Sequence, residues 1–152
     1  MQRHLFDEVE DVVRGMAPEG LGELQVTSRR WGIKVWFGSP SPQRVHYEAQ
    51  LIRRAHFDDG EGWALEIGFH AEHKDEARNE AELAGLMECE GEWMSKLGGD
   101  PEAGPFLGNP QWRRVSEVWL DPEMDDPGTG FEIGSRLVDY LDALEPCRHP
   151  TT

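Results

Sequence analysis

His46 and Glu48 stand two residues apart in RVHYEAQ, and His70 and Glu72 repeat that spacing in GFHAEHK. Residues two apart on a strand share one face, so each stretch, read as a strand, presents an imidazole and a carboxylate together. Laid side by side, facing Cβ atoms fall about 5 Å apart. Ring nitrogens and carboxylate oxygens at that separation suit a divalent metal ion or an acid and base pair exchanging a proton. The plainer alternative is a wet sheet face carrying complementary charges, each pair contributing about 0.2–1 kcal/mol. Lys34, expected beside Glu48, repels a cation and favours that alternative, so the sequence assigns no metal and no cofactor. His70 and His73 also form the tetrapeptide HAEH. It lacks the five-residue spacing of a zinc protease helix and the acid that directly follows the first histidine there, and with His70 on a strand the two rings should diverge.

A second kind of chemistry is suggested by arginine pairs. Six of the fifteen cations occur as Arg29-Arg30, Arg53-Arg54 and Arg113-Arg114, each near an expected strand end. Arg30, Arg53, Arg54, Arg113 and Arg114 are candidates to grip a small anion, since the guanidinium fork matches phosphate and carboxylate bidentately. The competing role is neutralisation of nearby acids such as Asp58, Asp59 and Glu61, where exposed pairs contribute little. No Gly-rich phosphate loop and no GxSxG elbow is present. Cys89 and Cys147 are the only cysteines, and without a CxxC spacing they read as reduced thiols.

Thirty acidic against fifteen basic residues give a formal charge of -15, which repels phosphate backbones and anionic lipid and argues against nucleic-acid or membrane partners. A hydrophobic fraction of 38% with six tryptophans supplies enough apolar area for a folded core, and 152 residues suit one domain. The opening MQRHLFDEVEDVV carries acids where a secretory signal needs an apolar run, and nothing approaches the roughly 20 apolar residues of a membrane span. The expected location is cytoplasmic.

The elements that must position these residues follow from periodicity. Leu5, Val9, Val12, Val13 and Met16 form a helical stripe ended by Pro18, Gly20 and Gly22. After a short alternation at Leu24 and Val26, the stretch RWGIKVWF alternates as a strand, with a bulge or turn near 28–30. RVHYEAQLIRR and the row Trp63, Leu65, Ile67 and Phe69 are the next two strands. A helix is predicted from Asp75, its candidate N-cap, to Leu97, ended by Gly98-Gly99. Residues 98–111 and 121–130 read as long loops, WRRVSEVWL as a strand, and Thr129 with Glu132 as a capping box for a last helix closed by Pro146, leaving 146–152 frayed. The fold class is α+β: an antiparallel β-meander with helices packed on one face, in the order α-β-β-β-α-β-α, as a single domain over 1–152.

Register decides whether the histidines meet. A three-residue loop, Asp58-Asp59-Gly60 with glycine in the left-handed position, would set Glu48 opposite His70 and His46 opposite Glu72. The preceding strand would set Lys34 beside Glu48 and Trp36 beside His46. From these residues the first expectation is a non-catalytic binding domain that meets a protein partner or dimerises through the helix-free face or an edge strand, with Trp36, Phe106 and Leu107 as contacts. The alternative is a small enzyme or a ligand- or metal-binding protein using His46, Glu48, His70 and Glu72, aided by the arginines.

Overall fold

Val9 and Val13 of the predicted apolar stripe are buried along one side of α1 (Leu5–Met16), joined by Phe6, which the stripe did not include, while Met16 is exposed. The computed structural model describes residues 4–56, 58, 60–106 and 108–148. Asp7 accepts the backbone N–H of His4 at 3.0 Å, satisfying one donor that a helix start leaves open. The strands β1 (Leu24–Arg29), β2 (Gly32–Phe37), β3 (Val45–Arg53), β4 (Trp63–Ala71), β5 (Glu102–Phe106) and β6 (Asn109–Leu120) form one antiparallel sheet ordered β1-β2-β3-β4-β6-β5. Helices α1, α2 (Glu76–Met87), α3 (Glu90–Leu97) and α4 (Thr129–Arg148) complete the α+β fold.

Odd-numbered residues of the central strands point into the core. Ile33, Val35, Tyr47, Ala49, Leu51, Leu65, Ile67, Phe69 and Val115 join one cluster with Phe6, Val9, Leu86, Trp93, Leu137 and Leu141 from the helices. Period-2 alternation on strands and a 3.6-residue stripe on helices meet there, as layer packing requires. The helix α1 crosses α4 closely because Gly134 carries no side chain: a Cβ there would lie 2.6 Å from Val12.

Four elements differ from expectation. Leu24–Arg29 is a full strand, joined to β2 by the two-residue turn Arg30-Trp31, so the parity change is a hairpin. The predicted helix 75–97 breaks at Glu88 and Cys89 into α2 and α3, which lets Trp93 turn inward and donate its Nε1–H to the Leu86 carbonyl at 2.8 Å. Its N-cap is Asp75 as expected, accepting from Ala77 N at 2.9 Å. The segment 98–111 contains β5, which pairs with β6 rather than looping free. Finally, α4 runs past Pro146 to Arg148, since proline removes one helical hydrogen bond without forcing the chain to stop. Thr129 opens that helix by donating its hydroxyl to the Glu123 carbonyl.

The connection between β3 and β4 is also longer than the predicted three-residue loop. A 3₁₀ turn covers Arg54–His56, Gly62 rather than Gly60 has positive φ (93°), and Arg54 N bonds to Gly62 O at 2.9 Å. Asp59 of the proposed loop, its neighbour Phe57, the contact candidate Leu107 and residues 149–152 of the expected frayed end lie outside the described residues. Among the described residues no helix is long and apolar enough to cross a membrane.

Candidate metal centre

The longer connection slides β3 against β4 by two residues and keeps parity. His46 now faces His70, Glu48 faces Gly68, and Lys34 faces Glu48 as expected. A one-residue slip would have sent the pairs to opposite faces; a two-residue slip leaves His46, Glu48, His70 and Glu72 together on the helix-free side. That side is not wet at this point. His46 is 2% exposed, Glu48 9% and His70 fully buried. Phe106 lies edge-on over His70 with ring centroids 4.5 Å apart, and Trp112 backs Phe106 at 5.8 Å. The plainer alternative of exposed complementary charges therefore fails on burial.

The four groups contact one another in a ring. His46 Nε2 lies 3.0 Å from Glu48 Oε1 and 3.7 Å from Glu72 Oε2. His70 Nδ1 lies 3.3 Å from the same Glu48 oxygen and 3.1 Å from the same Glu72 oxygen. One ligand atom from each residue can be chosen so that all lie within 4.8 Å of one another. Each imidazole also has its other nitrogen committed. His46 Nδ1 is 2.9 Å from the Gln43 carbonyl, which only accepts, so that nitrogen donates. His70 Nε2 is 2.8 and 2.9 Å from the two oxygens of Glu66, which Gln50 holds at 2.9 Å.

Charge follows from this packing. Burial alone would push the His70 pKa down, but Glu66, Glu48 and Glu72 hold it well above the ordinary 6.5. Burial would raise Glu48, yet its bonds to His46 and His70 win and keep it far below 4.5. Burial likewise opposes ionisation of Glu66, and His70 overcomes it. Without a metal, the surrounding carboxylates favour the imidazolium form of His70. Lys34 makes no ion pair with Glu48 among the described residues, so the repulsion expected from it does not reach the ring as a direct contact.

The other sequence candidates are dispersed. Trp36 is 5% exposed and donates Nε1–H to the Ser39 carbonyl at 2.7 Å, so it is not a projecting contact. Phe106 is spent on His70 and Trp112. Arg54 pairs with Asp58 and Asp121, Arg113 with Glu76 and Glu80, and Arg114 with Glu102 and Ser116. These three neutralise the protein's own acids. Arg30 and Arg53 stack instead on Trp31 and Trp63, each 5.2 Å from a ring centroid. Arg30 and Arg53 thus come together at one end of the sheet across the stacked tryptophans, while the other three are engaged by carboxylates. His73 makes no contact with His70 among the described residues and lines a cleft that His46 borders. Cys89 and Cys147 come close together with Glu92, both as free thiols.

Sequence reasoning missed Glu66, because it sits four residues before His70 in an apparently ordinary outward position. Its signal was parity: Glu66 shares the face of His70. Compared with protein-family models, curated proteins and solved structures, the chain matches none of them.

Proposed function

We propose that this protein binds a divalent transition-metal ion through His46 Nε2, His70 Nδ1, Glu48 and Glu72. The observation that carries the reading is the ring of four contacts between 3.0 and 3.7 Å. Edges of that length put a central ion about 2.0–2.3 Å from every ligand atom, whether the four sit as a tetrahedron or nearly flat, and zinc takes histidine nitrogen and carboxylate oxygen at about 2.0–2.2 Å. Two carboxylates balance the ion's charge, and the ion replaces the proton of His70. The Gln43 carbonyl and Glu66 orient the rings from behind, the outer-shell arrangement that ligating histidines use. Four protein ligands make a closed site, so the first role is binding, with the ion clamping β3 to β4. Nitrogen and oxygen donors suit zinc, manganese, iron or nickel.

Elemental analysis of protein purified without chelator, followed by calorimetric titration of the apo form with Zn²⁺, Mn²⁺ and Ni²⁺, tests this. One ion per chain, lost in Glu72→Gln, supports it. No retained metal and no heat with any of the three ions rejects it.

A second reading, association with a protein partner, has its own support elsewhere. Trp31 and Trp63, 51% and 36% exposed, stack at 5.3 Å between Arg30 and Arg53. Tryptophan and arginine dominate interface hot spots. Weakened association by Trp31→Ala, measured by light scattering or co-purification, is its test; unchanged association removes it.

A further inference from the structure

At the other end of the sheet from Trp31, a cleft of about 670 Å³ opens between the start of β3, α2 and the end of α4. Small-molecule sites occupy about 300–1,000 Å³, with an apolar wall and a few converging polar groups, and this cleft has both. Arg44 from the connection before β3, Arg78 from α2 and Arg148 from α4 line it. Its two acids, Glu82 and Glu145, are already engaged by Arg148 at 3.6 and 2.8 Å. Arg44 and Arg78 have no carboxylate partner among the described residues. Two uncommitted guanidiniums thus face one opening on a chain whose formal charge is -15. Arg44 is fixed at its base, since its carbonyl accepts Glu72 N–H at 2.7 Å. Leu21 and Phe37 supply the apolar wall.

We propose that this cleft binds a small organic anion, its carboxylate or phosphate held by Arg44 and Arg78 and its apolar body against Leu21 and Phe37. Guanidinium forks match both anions in bidentate geometry. The cleft adjoins the proposed metal centre, since His46 also lines it, but the contacts assigned to the anion use none of the four metal ligands. The proposal also differs from the arginine pairs singled out by sequence, none of which lines this cleft.

The test is calorimetric titration of the full chain in EDTA with phenyl phosphate, benzoate, inorganic phosphate and benzyl alcohol. Phenyl phosphate and benzoate should bind, phenyl phosphate more tightly than inorganic phosphate, and the neutral alcohol should not. Arg44→Ala and Arg78→Ala should each weaken binding about tenfold, the loss of one charge-assisted contact, whereas Arg29→Ala, at the far end of β1, should leave it unchanged. Persistence of binding in a folded His70→Ala variant separates this site from the metal reading. No binding by either organic anion at millimolar concentration, equal binding of the alcohol, or undiminished binding in the Arg44→Ala/Arg78→Ala double variant overturns the proposal.

Discussion

His46 and His70 face each other directly across the β3–β4 ladder, their rings 5.6 Å apart and inclined at 61°. The rings meet edge to face, and both turn a nitrogen toward the same two carboxylates. A metal between them should stabilise the fold by mass action. At about a hundredfold excess over its dissociation constant the gain is about 2.7 kcal/mol, which raises Tm by about 5–10 °C in a domain of this size. Thermal denaturation with and without Zn²⁺ measures it. Glu72→Gln should abolish the shift while leaving the apo Tm within a few degrees, because Glu72 is the least buried of the four.

The same groups set a pH dependence whose sign can be worked out. The His70 pKa is raised above 6.5 in the folded protein, so its contribution is fully present below 6.5 and fades as pH rises through the raised value. Glu48 and Glu66 are depressed below 4.5, so theirs is present above 4.5 and fades in more acidic solution. Urea denaturation in EDTA should therefore find the cluster's contribution greatest between these two ordinary values and smaller at pH 8. Metal works the other way, since binding expels the His70 proton. The Zn²⁺-induced increase in stability should grow from pH 6 to pH 8, and a shift that shrinks over that interval contradicts the ligand assignment.

Glu66 offers a test of the support behind the ring. Glu66→Gln keeps an acceptor for His70 Nε2 but removes its charge. Metal affinity should fall about 10–100-fold, as losses behind a ligating histidine do, with stoichiometry unchanged. Equal affinity in the variant would mean that Glu66 serves packing alone.

How far the sequence revealed this site depended on which rule was applied. Alternation placed His46, Glu48, His70 and Glu72 on one face and Ile33, Val35, Leu65 and Ile67 on the other, because burial enforces parity strictly. It did not place Phe106 over His70. That contact arises from β5 pairing with β6 as a tight hairpin, in a Gly- and Pro-rich segment with little local periodicity. Loop length was the other failure: Gly60 and Gly62 look alike in a string of letters, and only Gly62 adopts the positive φ. Buried acids were also hidden. Glu145 lies on a helical stripe of α4 yet is 2% exposed, accepting from Tyr47 Oη at 2.9 Å and Arg148 at 2.8 Å.

Those partners of Glu145 make a graded prediction. Tyr47→Phe removes one donor and leaves the Arg148 bond, so it should cost about 1 kcal/mol. Glu145→Leu removes the shorter of the two carboxylate contacts of Arg148, leaving Glu82 at 3.6 Å, and deprives the buried Tyr47 hydroxyl of its acceptor, so it should cost more, about 2–4 kcal/mol. Chemical denaturation of both variants and their combination checks the order, and the double variant should fall short of the sum, because the two residues share one contact.

Gly68 is where the backbone makes room for the centre. It faces Glu48 on one side and Ser116 on the other, with φ of 151°, and a Cβ there would sit 2.6 Å from Ser116 Cα. Any side chain forces β4 and β6 apart, and β6 carries the hairpin that lays Phe106 over His70. Gly68→Ala should therefore destabilise by about 3 kcal/mol or more, combining strain at an unfavourable φ with a backbone clash. It should also weaken metal binding more than an equally destabilising core substitution such as Leu137→Ala, since only the former disturbs the strand pairing beside the ligands. Calorimetric metal titration of the two variants at a temperature where both are folded compares them directly; equal affinities would show that the close β4–β6 approach serves the core and not the ring of histidines and glutamates.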